Sequence, residues 1–407
     1  MRGETQLPQD ESPPVEGAPT DLAAIRERLS ALDRQLLEMA AERQRLSGEV
    51  ARIKRATGYP TRDYARERDV LTRAATQGAA LGLPPGLGDG LLRLLIRASL
   101  TTQEQAQVAA QTGGSGKRAL VIGGHGRLGG WFAEFLASQG YAVTVADPGP
   151  SPEAAAGLPS TRGGVARFVH VARWEDACVA GRGLAHDLVV VATPLGITAE
   201  VLLALAKRPP AGLVFDLGSL KTPLRAGLEA LVAAGCRVTS LHPMFGPDTE
   251  LLSGRHLVFI DLGHAQALRE AQALFAATMV EQRVMSLDDH DRVMAFVLGL
   301  SHAVNIAFFT ALARSGETAP RLAELSSTTF DSQLDVATRV AAEDPALYYE
   351  IQAANAYGQD SLAALSEAVT ALRHCVATRD LQGFTALMDA GRAYLEDRRG
   401  HQAVPRP

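Results

Sequence analysis

His242 stands in the run Leu241-His242-Pro243-Met244-Phe245-Gly246-Pro247-Asp248. Pro243 disfavours a helical conformation at His242, so the imidazole is expected where a strand ends. That is the edge at which open α/β sheets bind ligands. An imidazole there can take a hydroxyl proton while hydride leaves the same carbon. A partner for that hydride lies upstream, in Gly124-His125-Gly126-Arg127-Leu128-Gly129. Glycines let a backbone turn tightly and approach a pyrophosphate, whose charge then meets the N-terminus of the next helix. Gly124, Gly126, Arg127, Leu128 and Gly129 are therefore the expected cofactor cradle. Asp147 falls at the end of the next strand. A carboxylate there would accept hydrogen bonds from ribose hydroxyls and repel a 2′-phosphate, which favours NAD over NADP. Thr193-Pro194 follows another strand and is expected to form a second wall of the crevice.

A separate polar set lies nearer the N-terminus. Arg43 and Lys54 are 11 residues apart on a long helical pattern; at 100° per residue they share a face. Arg26 points about 100° away from Arg43 on the same wheel and is expected to serve a different pocket, that of a partner chain. Asp63, Arg66 and Glu67 cluster at the start of a second helix, and Ser99 and Gln103, four apart, share a face of a third. Fixed cations with polar donors suit a small dicarboxylate.

The elements that must carry these groups are legible from periodicity. Leu22, Ile25, Leu29, Leu32, Leu36, Met39, Leu46, Val50 and Ile53 recur at helical spacing, predicting one helix over 21–57. Thr20-Asp21 can cap it and Gly58-Tyr59-Pro60 stops it. At roughly 55 Å it is too long for a small domain to cover, so it is expected to pack along a partner subunit. Further helices are predicted over 63–80 and from Asp89 to Val108. From Arg118 onward, strands at Ala119–Ile122, Ala142–Ala146, Leu188–Ala192, Leu213–Asp216, Arg237–Leu241, His256–Ile260 and near Gln282–Met285 alternate with helical stretches, which predicts a parallel α/β sheet. After Leu287 the pattern is helical to about residue 398, with the uncharged stretch Ala295–Ala313 expected to be buried at its centre. The domain reading is a disordered leader over 1–20, a helical domain over 21–110, a linker over 111–117, a dinucleotide-binding domain over 118–286, a helical domain over 287–398 and a tail over 399–407. Residues 149–176, rich in Gly, Ala and Pro, yield no reading.

Composition sets bounds on function. The chain has 407 residues, 46% hydrophobic and 21% charged, enough for two or three ordinary globular domains. A net charge of −5 gives no reason to expect nucleic acid or an anionic membrane. The leader has no apolar core of a signal peptide, and Ser301, His302, Asn305 and Thr310 argue against the uncharged stretch crossing a membrane. Cys178, Cys236 and Cys375 show no metal-ligand spacing and read as thiols in a reducing cytoplasm; no metal is expected.

Two resemblances follow from these residues. Gly123–Gly129, Asp216-Leu-Gly-Ser-Leu-Lys221, His242–Asp248 and His290-Asp291 followed by Met294-Ala-Phe296 resemble prephenate dehydrogenase over about 118–398. That resemblance implies that His242 contacts the 4-hydroxyl of prephenate and promotes hydride loss to NAD, with decarboxylation aromatising the ring. It implies that Ser219 positions the same hydroxyl or His242, that His302 faces the substrate and that Arg339 reads a carboxylate. Bifunctional relatives carry Arg immediately before the central-helix His; this chain has Ser301, which places more of the carboxylate recognition on Arg339. Residues 21–107 resemble the all-helical chorismate mutases, with Arg26, Arg43, Lys54, Asp63, Arg66, Glu67, Ser99 and Gln103 on that family's active-site positions. This implies an intertwined homodimer in which Arg26 enters the other chain's site.

The expected architecture is multidomain: an all-α chorismate mutase-like domain, an α/β Rossmann domain, then an all-α dimerisation domain. The expected activity converts chorismate to prephenate and prephenate to 4-hydroxyphenylpyruvate, on the route to tyrosine, with tyrosine as a candidate feedback inhibitor. Three alternatives stand beside it: an arogenate-preferring dehydrogenase with an active mutase, a dehydrogenase whose mutase-like module only dimerises or regulates, and a generic hydroxyacid dehydrogenase, which would leave the N-terminal helices unexplained.

Overall fold

The computed structural model describes residues 22–149, 168–178 and 183–403. The expected leader, the Thr20-Asp21 cap and most of 149–176 lie outside the described residues. The chain divides into two compact units, one ending at Gln107 and the other starting at Val108.

The first unit consists of α1 (Leu22–Thr57), α2 (Tyr64–Ala80) and α3 (Leu87–Ala109). Gly58 ends α1 in a left-handed conformation, φ 71°, which costs little without a Cβ. Asp63 is the N-cap of α2 rather than its first residue: Oδ1 accepts the N–H of Arg66 at 2.9 Å. α3 begins two residues before the expected Asp89, and α2 crosses it closely. A Cβ on Gly88 would lie 2.8 Å from the Ala74 carbonyl oxygen. The predicted apolar stripe of α1 is uncovered within one chain, from 42% exposed at Ile25 to 63% at Ile53.

The second unit is built on an eight-stranded sheet of order β3-β2-β1-β4-β5-β6-β7-β8. The strands are β1 (Arg118–Ile122), β2 (Ala142–Ala146), β3 (Val169–Val171), β4 (Leu188–Val191), β5 (Leu213–Asp216), β6 (Val238–Pro243), β7 (His256–Ile260) and β8 (Glu281–Met285). The expectation of a parallel sheet needs correcting at one pair. β6 and β7 run antiparallel, with His242 opposite Val258, while every other pairing is parallel. Only 12 residues separate Pro243 from His256, and they form a loop without a crossover helix, so the chain returns beside the strand it has just left. β3 escaped the sequence reading because it is three residues long and mostly exposed.

Successive residues of the central strands enter different apolar layers. Ala119, Val121, Leu188, Val190, Phe215 and Phe259 pack on one face with α4 (Arg127–Ser138) and α7 (Ala265–Ala273). Leu120, Ile122, Val189, Val191, Val214 and Ile260 pack on the other with α5 (Leu195–Ala206) and α6 (Arg225–Ala233). Burial on both faces is why these strands read as continuous apolar runs.

The chain from Leu287 is helical: α8 (Leu287–Met294), a π-helical turn (Ala295–Leu300), α9 (Ser301–Arg314), α10 (Ala319–Glu324), α11 (Thr328–Ala341), α12 (Pro345–Ala353), α13 (Gly358–Thr378) and α14 (Leu381–Ala403). α14 extends five residues beyond the expected end. The expectation of a buried central helix is not met within one chain. Between Ala295 and Arg314 only Ala295, Gly299, Ala303 and Asn305 are buried, and Phe296 and Val297 are 46% and 47% exposed. Leu287–Arg314 has the length and mean hydropathy, 1.8, of a membrane span. Its polar groups are nevertheless tied sideways to protein: Gln333 donates to Asn305 Oδ1 at 2.9 Å, and Gln352 to the Gly299 carbonyl at 2.8 Å.

Candidate active sites

In the first unit a pocket of about 290 Å³ is lined by Arg43, Lys54, Asp63, Arg66, Glu67, Ser99 and Gln103. These are seven of the eight expected residues; Arg26 does not line it. Leu46 and Val50, read from periodicity as part of the packing stripe, line the pocket instead. Arg43 Nη1 donates to Ser99 Oγ at 2.8 Å and to the Leu95 carbonyl at 2.9 Å. Lys54 Nζ donates to the Thr61 carbonyl at 2.8 Å, which leaves it two further N–H groups. Gln103 Nε2 donates to Ser47 Oγ at 2.8 Å, and its Oε1 is buried without a partner. Glu67 is gripped by a residue the sequence reading missed. Arg62 Nε and Nη2 each donate to one Glu67 oxygen at 2.9 Å, a bidentate pair that orients the carboxylate. Arg62-Asp63 directly before an Arg66-Glu67 pair was the available signal, but nothing local told which carboxylate Arg62 would take.

In the second unit His242 is the next-to-last residue of β6 and is buried. Its Nδ1 lies 2.8 Å from Nε2 of His290, whose Nδ1 lies 2.7 Å from Asp291 Oδ1. Asp291 also accepts the backbone N–H of Lys221 at 2.9 Å and both the N–H and hydroxyl of Thr222. Lys221, fully buried, donates to Asp216 Oδ1 at 3.0 Å and to the Leu241 carbonyl at 2.8 Å, just before His242. Burial, then the proximity of the His290 ring and of the Lys221 ammonium, hold the His242 pKa well below its ordinary value, so the imidazole is neutral. Burial opposes the charge on Asp291, yet the hydrogen bonds from His290, Thr222 and Lys221 outweigh it and keep the carboxyl below its usual range. Ser219 is half-buried in the loop after β5. His302 is half-buried on α9, its ring 4.1 Å from that of Tyr348, and burial lowers its pKa. Arg339 is exposed on α11. Among the described residues no hydrogen bond joins His242 to Ser219, His302 or Arg339; a substrate would have to bridge them. Ser301 donates to the carbonyls of Val297 and Leu298, so its hydroxyl is engaged by its own helix.

The glycine-rich loop lies between β1 and α4, and Thr193-Pro194 lies between β4 and α5. β1 and β4 are the neighbours at which the strand order reverses, the topological switch point of the sheet. A Cβ on Gly124 would meet Val145 Cγ1 at 2.7 Å, and one on Gly129 the Gly123 carbonyl oxygen at 2.2 Å. The α4 N-cap, Gly126, supplies no side-chain bond to the first turn, which leaves those N–H groups to a ligand. Asp147 is turned toward this loop: its oxygens accept the N–H of His125 at 3.0 Å and of Gly149 at 2.9 Å. It keeps lone pairs for a ribose but also braces the cradle. The loop after His242 is clamped onto α4, because Phe245 packs on Trp131 at 5.3 Å, Trp131 Nε1 donates to the Thr249 carbonyl, and Arg127 pairs with Asp248 at 2.6 Å.

Comparisons with known proteins match both units of the chain to families. Residues 25–104 match the family chorismate mutase type II, residues 175–282 the prephenate dehydrogenase nucleotide-binding domain, and residues 286–390 the prephenate dehydrogenase dimerization domain. A T-protein of Enterobacter agglomerans is 28% identical over 332 residues, 81% of each chain. A 4-amino-4-deoxyprephenate dehydrogenase of Streptomyces pristinaespiralis is 30% identical over 282 residues, 68% of this chain and 91% of that protein. The chain belongs to the chorismate mutase/prephenate dehydrogenase family. The fold of its second unit is also that of prephenate dehydrogenase from Aquifex aeolicus, with a TM-score of 0.53 and 18% identity over 69% of this chain and 99% of that structure. Of the residues expected from sequence at the mutase site, all but Arg26 line one pocket. Of the dehydrogenase network the sequence reading found only His242, although His290-Asp291 stood in one of the motifs that carried the resemblance.

Proposed function

We propose that the first unit rearranges chorismate to prephenate and that the second carries out NAD-dependent oxidative decarboxylation of prephenate to 4-hydroxyphenylpyruvate, on the route to tyrosine. The observation that carries this reading is the convergence of seven expected polar residues on one pocket, in a chain whose other unit holds a buried His242 on the sheet that carries the glycine-rich loop, with the loop after His242 clamped onto α4.

The mutase reaction needs no nucleophile. The pocket holds the reactive conformer and places Arg43 and Lys54 where charge develops at the ether oxygen as the bond breaks. Glu67, oriented by Arg62, is an acceptor for the substrate hydroxyl. The uncovered stripe of α1 supports a homodimer, and a second copy along α1 would bring its Arg26 to the pocket that lacks one. The exposed apolar residues of α9, α13 and α14 support the same assembly at the other end of the chain.

NAD fits the cradle: Gly124 and Gly129 leave no room for side chains beside the loop, and the uncapped start of α4 suits a pyrophosphate. NAD held there would supply a hydride acceptor for the ring carbon that bears the hydroxyl. His242 takes the hydroxyl proton, Ser219 orients that hydroxyl, and His302 and Arg339 hold the rest of the substrate. Loss of the ring carboxylate as carbon dioxide completes the aromatic ring. The free thiols Cys178, Cys236 and Cys375 fit a reducing cytoplasm. Ser301 favours a second reading of substrate choice, because its engaged hydroxyl offers the substrate no positive charge; arogenate, whose side chain carries an ammonium beside its carboxylate and so has less net negative charge than prephenate, is the competitor.

The deciding experiment is NADH formation by the purified chain given chorismate and NAD without added mutase. Signal from chorismate establishes both activities. Signal from prephenate alone makes the first unit a non-catalytic module, and signal from arogenate alone reassigns the substrate.

A further inference from the structure

We propose that His290 and Asp291 are positioning residues that fix which nitrogen of His242 carries the proton, leaving Nε2 as the lone-pair acceptor for the substrate hydroxyl. The inference rests on the reading of His242 as the base. Groups that can only donate set the polarity of the whole chain of hydrogen bonds. The backbone N–H groups of Lys221 and Thr222 both point at Asp291, so its carboxylate is an acceptor. The 2.7 Å contact to His290 Nδ1 is then an N–H donated by His290. With His290 neutral, its Nε2 can only accept, and His242 Nδ1, 2.8 Å away, must donate to it. A neutral His242 has one N–H, so Nε2 bears the lone pair. The buried ammonium of Lys221 opposes a second proton on either ring, and the carboxylates of Asp291 and Asp216 favour one only at His290.

The relay also acts once the proton arrives. His242 then carries a positive charge, its Nδ1–H already points at His290, and Asp291 supplies the negative charge behind it. The hydroxyl proton ends on His242 Nε2, and Asp291 stays ionised throughout. Asp291→Asn would reverse the polarity: an amide N–H facing His290 Nδ1 makes that nitrogen an acceptor, Nε2 a donor, and His242 Nδ1 an acceptor, which puts the proton on the wrong nitrogen.

The test pairs a spectroscopic signature with kinetics on the full chain. Two-bond proton–nitrogen correlation on 15N-histidine-labelled protein is expected to show His242 as the Nδ1–H tautomer, reversed in D291N. In kinetics D291N is expected to lower plateau kcat for dehydrogenation by about a hundredfold or more, with the KM for substrate and the Kd for NAD within about threefold. H290Q, whose amide oxygen can accept from His242, should keep kcat within about tenfold of the parent, while H290L should fall with D291N. An Nε2–H tautomer in the parent protein overturns the proposal. So does a D291N variant that moves the acid limb of the pH profile and leaves the plateau unchanged. If D291N fails to fold, equal kcat in H290Q and H290L overturns it instead. An Nδ1–H tautomer together with full turnover by H242N would leave the relay standing and remove His242 from the mechanism.

Discussion

A neutral imidazole enclosed by protein is the pivot of the proposed dehydrogenase site, and its pH behaviour follows from burial. Desolvation, His290 and Lys221 push the His242 pKa well below 6.5. Dehydrogenase kcat/KM is therefore expected to stay flat as pH falls through 6.5 and to drop only at lower pH, as a pH–rate profile will show. The same depression links to stability. The unfolded chain binds a proton at this histidine that the fold excludes, so the contribution is fully present above about 6.5 and is lost as pH falls from there toward the depressed folded value. Melting temperature at low pH checks the sign. In the other unit, Arg62 and Glu67 are 27% and 18% exposed, so their bidentate pair is partly shielded from solvent. R62M should release Glu67 and lower mutase kcat/KM by roughly tenfold, about 1.4 kcal/mol, while dehydrogenase activity is unchanged. An unchanged mutase rate would show that Glu67 needs no support.

Elements position these residues through close approach and register. β6 delivers His242, α8 delivers His290 and Asp291, and the loop between β5 and α6 delivers Lys221 and Thr222. The glycine-rich loop works only because helix and strand nearly touch. G129A would set a methyl 2.2 Å from the Gly123 carbonyl, which forces α4 away from β1. NAD affinity, by titration of protein fluorescence, is expected to weaken more than tenfold, with mutase turnover retained. Wild-type affinity in G129A would refute the cradle. The π-helical turn at 295–300 is a second register device. It rotates Ser301 and His302 relative to His290 and Asp291 compared with an uninterrupted α-helix, and its widened backbone receives the Gln352 amide at Gly299.

At the scale of the whole molecule the exposed apolar surfaces govern. Hydrophobic stripes of this length on α1 and on the C-terminal helices are the kind of surface that marks an interaction site. If α1 pairs with a second copy and Arg26 crosses over, the chains should complement each other. R26A and R43A homodimers are each expected to lack mutase activity. Mixed and re-associated, they should form heterodimers with one doubly defective pocket and one intact pocket, restoring up to about a quarter of parent activity. No recovery after demonstrated subunit exchange would place Arg26 in its own chain's pocket or outside catalysis.

Periodicity and turn chemistry by themselves determined much of this protein. Helix α1, the glycine loop, most strands and the polar residues that line the first unit's pocket were legible because each signal lies within one element or repeats along one face. The apolar runs of β4 and β5 announced burial on both faces, but not which neighbour would lie beside β6, and its antiparallel partner came from packing. The same limit hid the relay. His242 and His290 are 48 residues apart and meet because α8 docks against the sheet, while Arg62 meets Glu67, five residues on, once the first turn of α2 has formed. Side-chain identity and local spacing are written along the chain; hydrogen-bond partners and tautomers depend on distances of about 3 Å between distant segments, and those exist only after the core has closed.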